Sequence, residues 1–411
     1  MRPRLLVISH VLPFPGSSGQ QQRVANSLRA LRQVFHVTFL TFADETQQHE
    51  WPAQLAPFCD EAAFLPAQTQ TGAVTHAWHA GVSRAYAAAT GLKPSNYQIG
   101  LVEFAPQRLR QWLKGKRFDL ALYEYWHAAP SVPVLQAQGI RCVLDMHDIL
   151  WQAYKFQLAD ADGQLSSAQR QRLARYRQRE EAAWQRFDAL IAINHAELRY
   201  VQTQAKPTQT LFHAAMGVNL AAWPYVWQPT QPARLVYYGG LGSEHNQTDA
   251  LICAREIMPL VWRQFPDTEL WLVGSQPPER LLALPAQDAR LHVTGFVPDA
   301  AAVLKDMTAM LCPWRGTFGF RSRVIEAMAV GLPVITTPDA VYGMGLDENQ
   351  RGLWLGTTPT ELAQHALRLL QDQSFTAAQS RAARAQAEAS FSLAATYGKL
   401  AEELRSWISE K

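Results

Sequence analysis

The feature that most constrains the fold is an alternation repeated along most of the chain. A short run rich in β-branched residues and leucine is followed by a turn with Gly, Pro, Asp or His, and then by an amphipathic segment. This alternation predicts βα units, in which helices cover both faces of a parallel sheet. In the first half the predicted strands are residues 5–9, 36–41, 119–123, 141–145 and 189–193, and the predicted helices are residues 20–33, 74–89, 105–116, 168–187 and 196–204. The sequence therefore predicts a first α/β domain over residues 1–215.

A proline-rich stretch then divides the chain. Pro224, Pro229 and Pro232 lie close together, which disfavours a helix or an interior strand and predicts an interdomain linker over residues 216–233. The alternation restarts beyond it, with predicted strands at residues 235–238, 269–273, 291–294, 307–311 and 333–336 and predicted helices at residues 248–264 and 321–329. These elements predict a second α/β domain over residues 234–390. Residues 359–372 and 376–407 are also predicted to be helical, and we expect the terminal segment 391–411 to pack back on the first domain.

Length, composition and charge are those of a globular protein with more than one domain. The chain has 411 residues, of which 48% are apolar and 18% are charged, which excludes collagen-like, coiled-coil and wholly disordered classes. The formal net charge of +3 is too small to indicate a nucleic-acid partner. Four cysteines without C-x-x-C spacing indicate reduced structural thiols, and no apolar stretch approaches the ~18 residues of a membrane-spanning helix. We therefore expect a cytoplasmic protein with no nucleic-acid partner.

The strongest local signal lies in residues 316–337. A glycine-containing loop opens the predicted helix 321–329, whose first turn carries Arg321 and Arg323. Backbone N–H groups, the positive end of the helix dipole and two guanidinium groups would converge there, which predicts a site for an anion such as a diphosphate. Glu326 shares a helix face with Arg323 and could accept hydrogen bonds from ribose hydroxyl groups. The alternative is an ordinary Arg323–Glu326 ion pair on a solvated helix face.

The helix that follows this loop carries a family resemblance. Residues 326–335, with the sequence E-A-M-A-V-G-L-P-V-I, resemble the E-A-M-A-x-G-x-P-V-[IV] element of glycosyltransferase family 4, whose members have the two-domain GT-B fold. Further stretches resemble that family in the expected order: residues 13–19, 145–148, 216–219, 238–241 with Asn246 and Asp249, 272–274 and 293–299. Together they cover roughly residues 4–340, and their order is far more specific than any single stretch.

The sequence departs from the usual family pattern at one acidic position. Phe318 stands where the family has a glutamate eight residues before Glu326. Sugar transferases associated with exopolysaccharide clusters carry G-x-R-x-K-x-x-E instead, and Arg321, Arg323 and Glu326 match that variant with arginine in place of lysine. The loop 239–243 also lacks the Arg/Lys pair that is common in the family. We therefore expect Arg321 and Arg323 to carry the charge of the diphosphate.

The resemblance implies a fold and an activity. The fold would be α/β of the GT-B type, with two Rossmann-like domains whose parallel sheets face an interdomain cleft. The first domain would bind the acceptor, and the second would bind the nucleotide-sugar donor. The activity would be retaining transfer of a sugar from a nucleotide diphosphate sugar to a hydroxyl group of a glycan, a lipid-linked sugar or a small metabolite. We expect no metal and no cofactor, because the nucleotide-diphosphate sugar is a co-substrate and arginine can take the metal's role at the diphosphate.

The resemblance also assigns the expected site residues. Catalytic roles fall to His147, Arg321 and Arg323. His147 would hydrogen-bond the donor sugar or its developing charge, and a phosphate oxygen of the departing nucleotide would accept the acceptor's proton. The alternative for His147 is a strand-end histidine bonded to backbone. The residues expected to bind the donor are Gly16, Gly19, Gly240, Thr294, Gly295, Phe296, Phe320, Ser322 and Glu326.

Two other functions stay open from the sequence. A nucleotide-sugar 2-epimerase has the same architecture and would convert the donor without any acceptor. A non-catalytic nucleotide-sugar-binding subunit is the third interpretation, which Phe318 encourages. Arginine-rich stretches at residues 170–179 and 108–117 also suggest peripheral contact with the inner membrane face. The alternative for these stretches is a solvated helix face with pairs such as Arg177 and Glu181.

Overall fold

The computed structural model describes residues 2–16, 18–67, 102–158, 164–317, 319–346 and 352–409. The chain divides into two units, one formed by Met1–Ala215 with Tyr397–Lys411 and the other by Met216–Thr396. The helix predicted at residues 74–89 and the position of Phe318 lie outside the described residues.

The first unit is built on a parallel sheet. Among the described residues its strands are β1 (Arg4–Ile8), β2 (His36–Ala43), β3 (Glu61–Pro66), β4 (Leu120–Glu124), β5 (Arg141–Asp145), β6 (Ala189–Ala192) and β7 (Thr210–His213). They lie in the order β3-β2-β1-β4-β5-β6-β7, with every pair parallel. The predicted strands are confirmed with shifts of one or two residues. The sequence pattern misses β3 and β7, because edge strands are partly exposed and lack a continuous apolar run.

Helices pack on this sheet and begin at recognisable caps. They are α1 (Gly19–Val34), α2 (Glu45–Leu55), α3 (Pro106–Trp112), α4 (Val132–Gln136), α5 (Leu150–Leu158), α6 (Ser167–Trp184) and α7 (His195–Gln204) among the described residues. The side chains of Ser18, Asp44 and Ser166 each accept a hydrogen bond from a backbone N–H in the first turn of α1, α2 and α6. Such caps satisfy donors that the helix itself leaves unpaired.

Alternate residues of β1 pack into separate cores. Leu6 and Ile8 lie in one cluster with Trp184, whereas Leu5 and Val7 lie in another with Phe35. Both faces of the sheet are therefore covered. This is why the interior strands read as continuous apolar runs rather than as alternating ones.

The second unit is built on another parallel sheet. Its described strands are β8 (Arg234–Tyr238), β9 (Glu269–Val273), β10 (Leu291–Gly295), β11 (Ala309–Cys312), β12 (Val334–Thr336) and β13 (Leu353–Leu355), in the order β10-β9-β8-β11-β12-β13. The described helices are α8 (Glu244–Ile252), α9 (Met258–Trp262), α10 (Glu279–Leu282), α11 (Leu284–Gln287), α12 (Ala300–Leu304), α13 (Ser322–Val330), α14 (Pro359–Gln371) and α15 (Gln373–Phe391). A π-helical turn at Cys253–Ile257 divides the helix predicted at residues 248–264. The predicted strands are confirmed, and only the three-residue edge strand β13 among the described strands escapes the pattern.

The predicted linker before this unit and the predicted helix at its end both differ from the sequence-based prediction. Residues 216–233, predicted as a linker, belong to the second unit, where the Trp227 indole N–H donates to the carbonyl oxygen of Met307 at 2.9 Å. The helix predicted at residues 376–407 is divided, because Ser392 is extended and its segment bridges to Val218. The last helix, α16 (Lys399–Ser409), belongs to the first unit, where Leu400 and Leu404 join a buried core.

Three observations relate to the expected cytoplasmic location and to the suggested membrane contact. All four cysteines are buried free thiols. None of the helices within the described ranges combines the length and the apolarity needed to cross a membrane. Arg177, in the arginine-rich stretch of α6, pairs with Glu181 at 2.8 Å and lies over the ring of Trp151. This arrangement fits a solvated helix face, and peripheral membrane contact stays a prediction.

Glycines bring the carboxyl ends of β8 and β9 into direct contact. The N–H of Gly239 donates to the carbonyl oxygen of Val273 at 3.0 Å. A Cβ atom on Gly274 would stand 1.7 Å from the carbonyl oxygen of Gly239. Because that neighbour is backbone, a methyl group could fit only if the strand ends moved apart. A Cβ atom on Gly240 would meet its nearest neighbour, the hydroxyl oxygen of Ser275, at an ordinary 3.9 Å.

The Gly274→Ala variant is expected to lose roughly 2 kcal/mol or more of folding free energy, because overpacking against backbone forces a displacement of both strand ends. Thermal unfolding followed by circular dichroism measures this loss. Gly240→Ala is the matched control in the neighbouring loop and should leave the Tm nearly unchanged. Equal Tm values for the Gly274→Ala variant and the wild type would contradict the close approach of Gly274 to the carbonyl oxygen of Gly239.

Candidate active site

The second sheet contains a point at which its connections leave in opposite directions. The chain passes from β8 to β9 on one side and later places β11 on the other side of β8. In open parallel sheets this divergence leaves a crevice at the carboxyl ends of the two strands, where ligands bind. Residues 239–243 follow β8 and residues 313–321 follow β11, so both loops lie at this point. The arginine-containing signal found in the sequence therefore falls at the switch point of the sheet.

A buried polar triad joins α13 to the end of β8. Glu326 is 3% exposed, and its Oε2 accepts hydrogen bonds from the Tyr238 hydroxyl at 2.9 Å and from the Arg323 guanidinium at 2.6 Å. Arg323 also donates to the Tyr238 hydroxyl oxygen at 2.8 Å. Burial raises the pKa of the Glu326 carboxyl, and the positive charge of Arg323 opposes that rise. The Arg323–Glu326 pair is thus present, but on a buried carboxylate with a third partner rather than on a solvated face.

Arg321 is the residue that precedes α13. Its guanidinium lies 5.9 Å from the ring centroid of Trp314 and donates to the carbonyl oxygen of Arg315 at 3.2 Å. Burial lowers the pKa of this guanidinium, although nearby acidic groups oppose the effect. A partly buried cation beside the N–H groups of a helix start favours a negatively charged ligand. The arrangement can therefore bind an anion.

The structure adds two charged residues that the sequence pattern does not assign to the site. Asp249 on α8 is buried, and its Oδ1 lies 3.7 Å from Nε of the exposed Arg315. Burial raises the pKa of the Asp249 carboxyl to about 7, against the opposing charges of Arg315 and Arg321. Asp249 belongs to a stretch that resembles the family, and that resemblance is the signal that could have indicated this carboxyl.

Other residues expected to bind the donor lie along the carboxyl edge of the same sheet. The carbonyl oxygen of Gly240 accepts a hydrogen bond from the side-chain amide of Asn246 at 2.7 Å. Thr294, Gly295 and Phe296 lie at the end of β10, which is an edge strand, and Phe296 is 72% exposed. The three residues at β10 are therefore separated from the switch point by β9 and β8.

Phe320 and Ser322 flank Arg321 in the chain. The Phe320 ring contacts the ring of Phe391 at 6.0 Å between centroids. Ser322 is the first residue of α13, and its N–H donates to the carbonyl oxygen of Phe320 at 3.1 Å. The structure thus brings Phe320, Ser322, Arg323 and Glu326 together at the start of one helix.

The glycines expected in the first unit lie in the loop between β1 and α1. Gly16 has a φ of +83°, a conformation that favours glycine. Gly19 is the first residue of α1, directly after the Ser18 cap. This loop follows β1, which with β4 flanks the point where the connections of the first sheet diverge. Binding of the donor by Gly16 and Gly19 stays a prediction.

His147 follows β5 and belongs to a buried polar network. Its Nε2 lies 2.5 Å from Oε2 of Glu124, the last residue of β4. Its backbone N–H donates to Oδ1 of Asp145 at 3.2 Å. Asp145 is fully buried and accepts three hydrogen bonds of 2.8 to 3.0 Å from the guanidinium of Arg23. The His147 ring is therefore bonded to a carboxylate, not to backbone as the alternative interpretation expects.

Backbone strain accompanies this network. Tyr125 has a φ of 67° and a ψ of 157°, and His147 has a φ of 60°. Residues other than glycine rarely adopt such conformations, each of which costs on the order of 1–3 kcal/mol. The two strained residues stack their rings with 4.0 Å between centroids. Strain of this kind persists only where the surrounding structure holds the residue in place, and it often occurs at active sites. A functional role for this network stays a prediction.

Two further histidines lie beside the strained residues. The rings of His10, after β1, and His127, after β4, approach each other with 5.3 Å between centroids. Burial lowers the pKa of His10 to about 3 and that of His127 to about 4, and the neighbouring imidazoles add to the effect. Both rings are therefore neutral near pH 7 and do not balance the charge of the carboxylates.

The carboxylates and imidazole of this network can be compared with a metal site. Glu124, Asp145 and His147 offer ligand atoms that lie within 4.8 Å of one another. Both oxygens of Asp145 are already bonded to Arg23, and Glu124 is bonded to the imidazole. The Arg23 guanidinium already supplies a positive charge to Asp145. The donor set therefore fits an ion-pair network better than a metal centre.

Comparison with solved structures defines the class of the fold. The chain resembles a sucrose-phosphate synthase from Thermosynechococcus elongatus, with a TM-score of 0.69 and 19% identity over 100% of each chain. It also resembles HepE from Anabaena, solved in complex with UDP and glucose, with a TM-score of 0.61 and 15% identity over 98% of this chain and 100% of that chain. A mutant of TarM from S. aureus, solved with fondaparinux, α-GlcNAc-glycerol and UDP, gives a TM-score of 0.63 and 10% identity over 100% of each chain. The protein has the α/β GT-B fold of two Rossmann-like domains.

Family comparison gives the activity class. Residues 18–214 match the family described as "Glycosyl transferase 4-like domain", and residues 232–372 match the family described as "Glycosyl transferases group 1". No curated protein sequence matches the chain. The protein is therefore a glycosyltransferase of the family 4-like group, as the sequence resemblance predicted.

Asp249 makes the stability of the second unit depend on pH. Its pKa of about 7 in the folded protein compares with about 4 for an unfolded aspartate. Between these values the unfolded chain binds fewer protons than the folded one, so the free energy of unfolding falls as the pH rises. Asp249→Asn removes this loss. Relative to wild type, the variant is expected to gain about 2 kcal/mol between about pH 5 and about pH 8, measured by urea unfolding. The same difference at both pH values would show that the carboxyl titrates normally.

Proposed function

We propose that the protein transfers a sugar from a nucleotide diphosphate sugar to a hydroxyl group of an acceptor, with retention of configuration and without a metal ion. The acceptor would be a glycan, a lipid-linked sugar or a small metabolite. The observation that supports this most is the position of Arg321 and Arg323 at the start of α13, beside the switch point of the second sheet. A diphosphate is the anion that best matches two guanidinium groups and a helix N-terminus.

The leaving group would be stabilised by these cations. As the bond between sugar and diphosphate breaks, negative charge develops on the diphosphate, and Arg321 and Arg323 offset it in place of a metal. The retaining outcome is the one that the family resemblance implies. In such a reaction a phosphate oxygen of the departing nucleotide accepts the proton of the acceptor hydroxyl group, and His147 hydrogen-bonds the donor sugar.

Glu326 would hold the ribose of the nucleotide. Its Oε2 is bonded to Tyr238 and Arg323, which orients the carboxylate and ties it to the arginine that binds the diphosphate. The ribose hydroxyl groups would then donate to Oε1. HepE and TarM were solved with UDP, which makes UDP and UDP-sugars the first donors to test.

Binding of nucleotides tests the donor site directly. Isothermal titration of wild type with UDP, GDP, ADP and dTDP is expected to show one preferred nucleotide diphosphate. Arg321→Ala and Arg323→Ala should each weaken it roughly 10- to 100-fold, because each removes a charged hydrogen-bond donor. Arg263→Ala is the control, since Arg263 is exposed and lies at the opposite, amino-terminal edge of the sheet, before β9. Unchanged affinity in both site variants would show that the diphosphate does not bind at the start of α13.

Turnover tests the reaction itself. With the preferred donor and a panel of sugar and lipid-linked acceptors, transfer is expected to continue in EDTA and to give a product with the anomeric configuration of the donor. His147→Asn is expected to lower kcat about 100-fold or more, as the loss of a positioned hydrogen-bonding group does. Conversion of the donor without an acceptor would instead indicate the 2-epimerase, and binding without turnover would indicate the non-catalytic subunit. Loss of transfer in EDTA would overturn metal independence.

A further inference from the structure

We propose that Glu124 is a positioning residue for His147, which holds the imidazole through its Nε2–H and presents Nδ1 to the donor sugar. Glu124 has this role only if His147 acts in sugar transfer as proposed above. The family resemblance covers residues 145–148 but does not reach Glu124.

Strand register brings Glu124 beside the histidine loop. β4 and β5 pair in parallel, and Glu124 stands directly opposite Asp145, each as the last residue of its strand. Two carboxylates therefore lie side by side, and both are buried, with Glu124 2% exposed. In such a place each carboxylate can stay ionised only with a partner of its own, because desolvation penalises each negative charge.

Arg23 is the partner of Asp145. Its Nε and one terminal nitrogen donate to the two oxygens of Asp145, and its other terminal nitrogen donates to the carbonyl oxygen of Ala214 at 3.0 Å. His10 and His127 supply no positive charge near pH 7, because burial keeps both rings neutral. The guanidinium is therefore committed to one carboxylate, and Glu124 depends on a different group.

That group is the imidazole of His147. Oε2 of Glu124 lies 2.5 Å from Nε2, whereas Oε1 is buried and has no hydrogen-bond partner among the described residues. Burial raises the pKa of the Glu124 carboxyl, and the hydrogen bond and charge of His147 oppose that rise. In its ionised form the carboxylate only accepts hydrogen bonds, so the proton of this contact then belongs to Nε2. In a neutral ring the lone pair then stands on Nδ1, where it can accept a hydrogen bond from a sugar hydroxyl group.

Tyr125 supports the same orientation from the side. Its ring stacks on the imidazole with an interplanar angle of 17° and 4.0 Å between centroids. Both residues have positive φ values, so the backbone is held in the conformation that keeps the rings together. The ring is thus fixed by a carboxylate at one nitrogen and by an aromatic face, which leaves few orientations open to it.

The experiment compares the full-length wild type with Glu124→Gln and Glu180→Gln. Glu180 is the matched control, because it is an equally buried acid of the same unit whose oxygens accept the backbone N–H groups of Leu150 and Trp151 at 2.9 and 2.8 Å. The readouts are the ¹⁵N chemical shifts of the labelled His147 imidazole, assigned by their disappearance in His147→Asn, and kcat and KM for the donor found above.

The expected result separates positioning from stability. The wild type should show the Nε2–H form, and Glu124→Gln should shift the His147 nitrogens and lower kcat roughly 10- to 100-fold, as loss of a partner that orients a functional histidine does elsewhere. The KM for the donor should change little, and Glu180→Gln should change neither the nitrogens nor kcat. An Nδ1–H form in the wild type, or Glu124→Gln with unchanged nitrogens or unchanged kcat, would overturn the proposal.

Two further outcomes are kept distinguishable. If the wild type transfers no sugar, the proposed function fails, and the nitrogen shifts alone still decide whether Glu124 holds the ring. If Glu124→Gln does not fold, Glu124→Asp takes its place, because it keeps the charge while withdrawing it from Nε2. That variant should shift the His147 nitrogens and lower kcat, and unchanged values of either would overturn the proposal.

Discussion

Parallel strand pairing is the constraint on which the rest of the structure depends. When all strands of a sheet run the same way, every strand ends at the same edge, and helices must cover both faces. The interior of each strand is then reserved for apolar side chains. Polar groups that act on a ligand are therefore confined to the loops after the strands, and each unit gathers its unusual residues there.

The buried polar groups at these edges carry a desolvation penalty, which the apolar side chains of the cores do not. Arg23 and Asp145 bury opposite charges in the first unit, and Arg323, Tyr238 and Glu326 share hydrogen bonds in the second. Burial penalises every charged group, so each persists because a partner compensates it. A buried ion pair adds little to stability in such a balance. Such a pair does fix the orientation of its two side chains.

Much of the fold could be predicted from the sequence, and the exceptions have physical reasons. Interior strands such as β1 and β8 are apolar on both faces and therefore stand out as short apolar runs. The edge strands β3, β7 and β13 escape, because partial exposure leaves them without that run. At the candidate site Arg321, Arg323 and Glu326 were visible because their spacing in one helix is a local property. The pairing of Glu124 with His147 was not visible, because it comes from the register of neighbouring strands rather than from a motif.

The sequence by itself determined the alternation of strands and helices, the division into two α/β domains and the glycosyltransferase resemblance. These follow from apolar periodicity and from short motifs, which act over a few residues and do not depend on distant contacts. Only the tertiary structure decided which carboxylate meets which cation: Asp145 with Arg23, Glu124 with His147, Asp249 with Arg315. Such pairs join residues far apart in the chain through strand order and register. No local sequence pattern predicts these pairs, because they form only when the whole sheet has assembled.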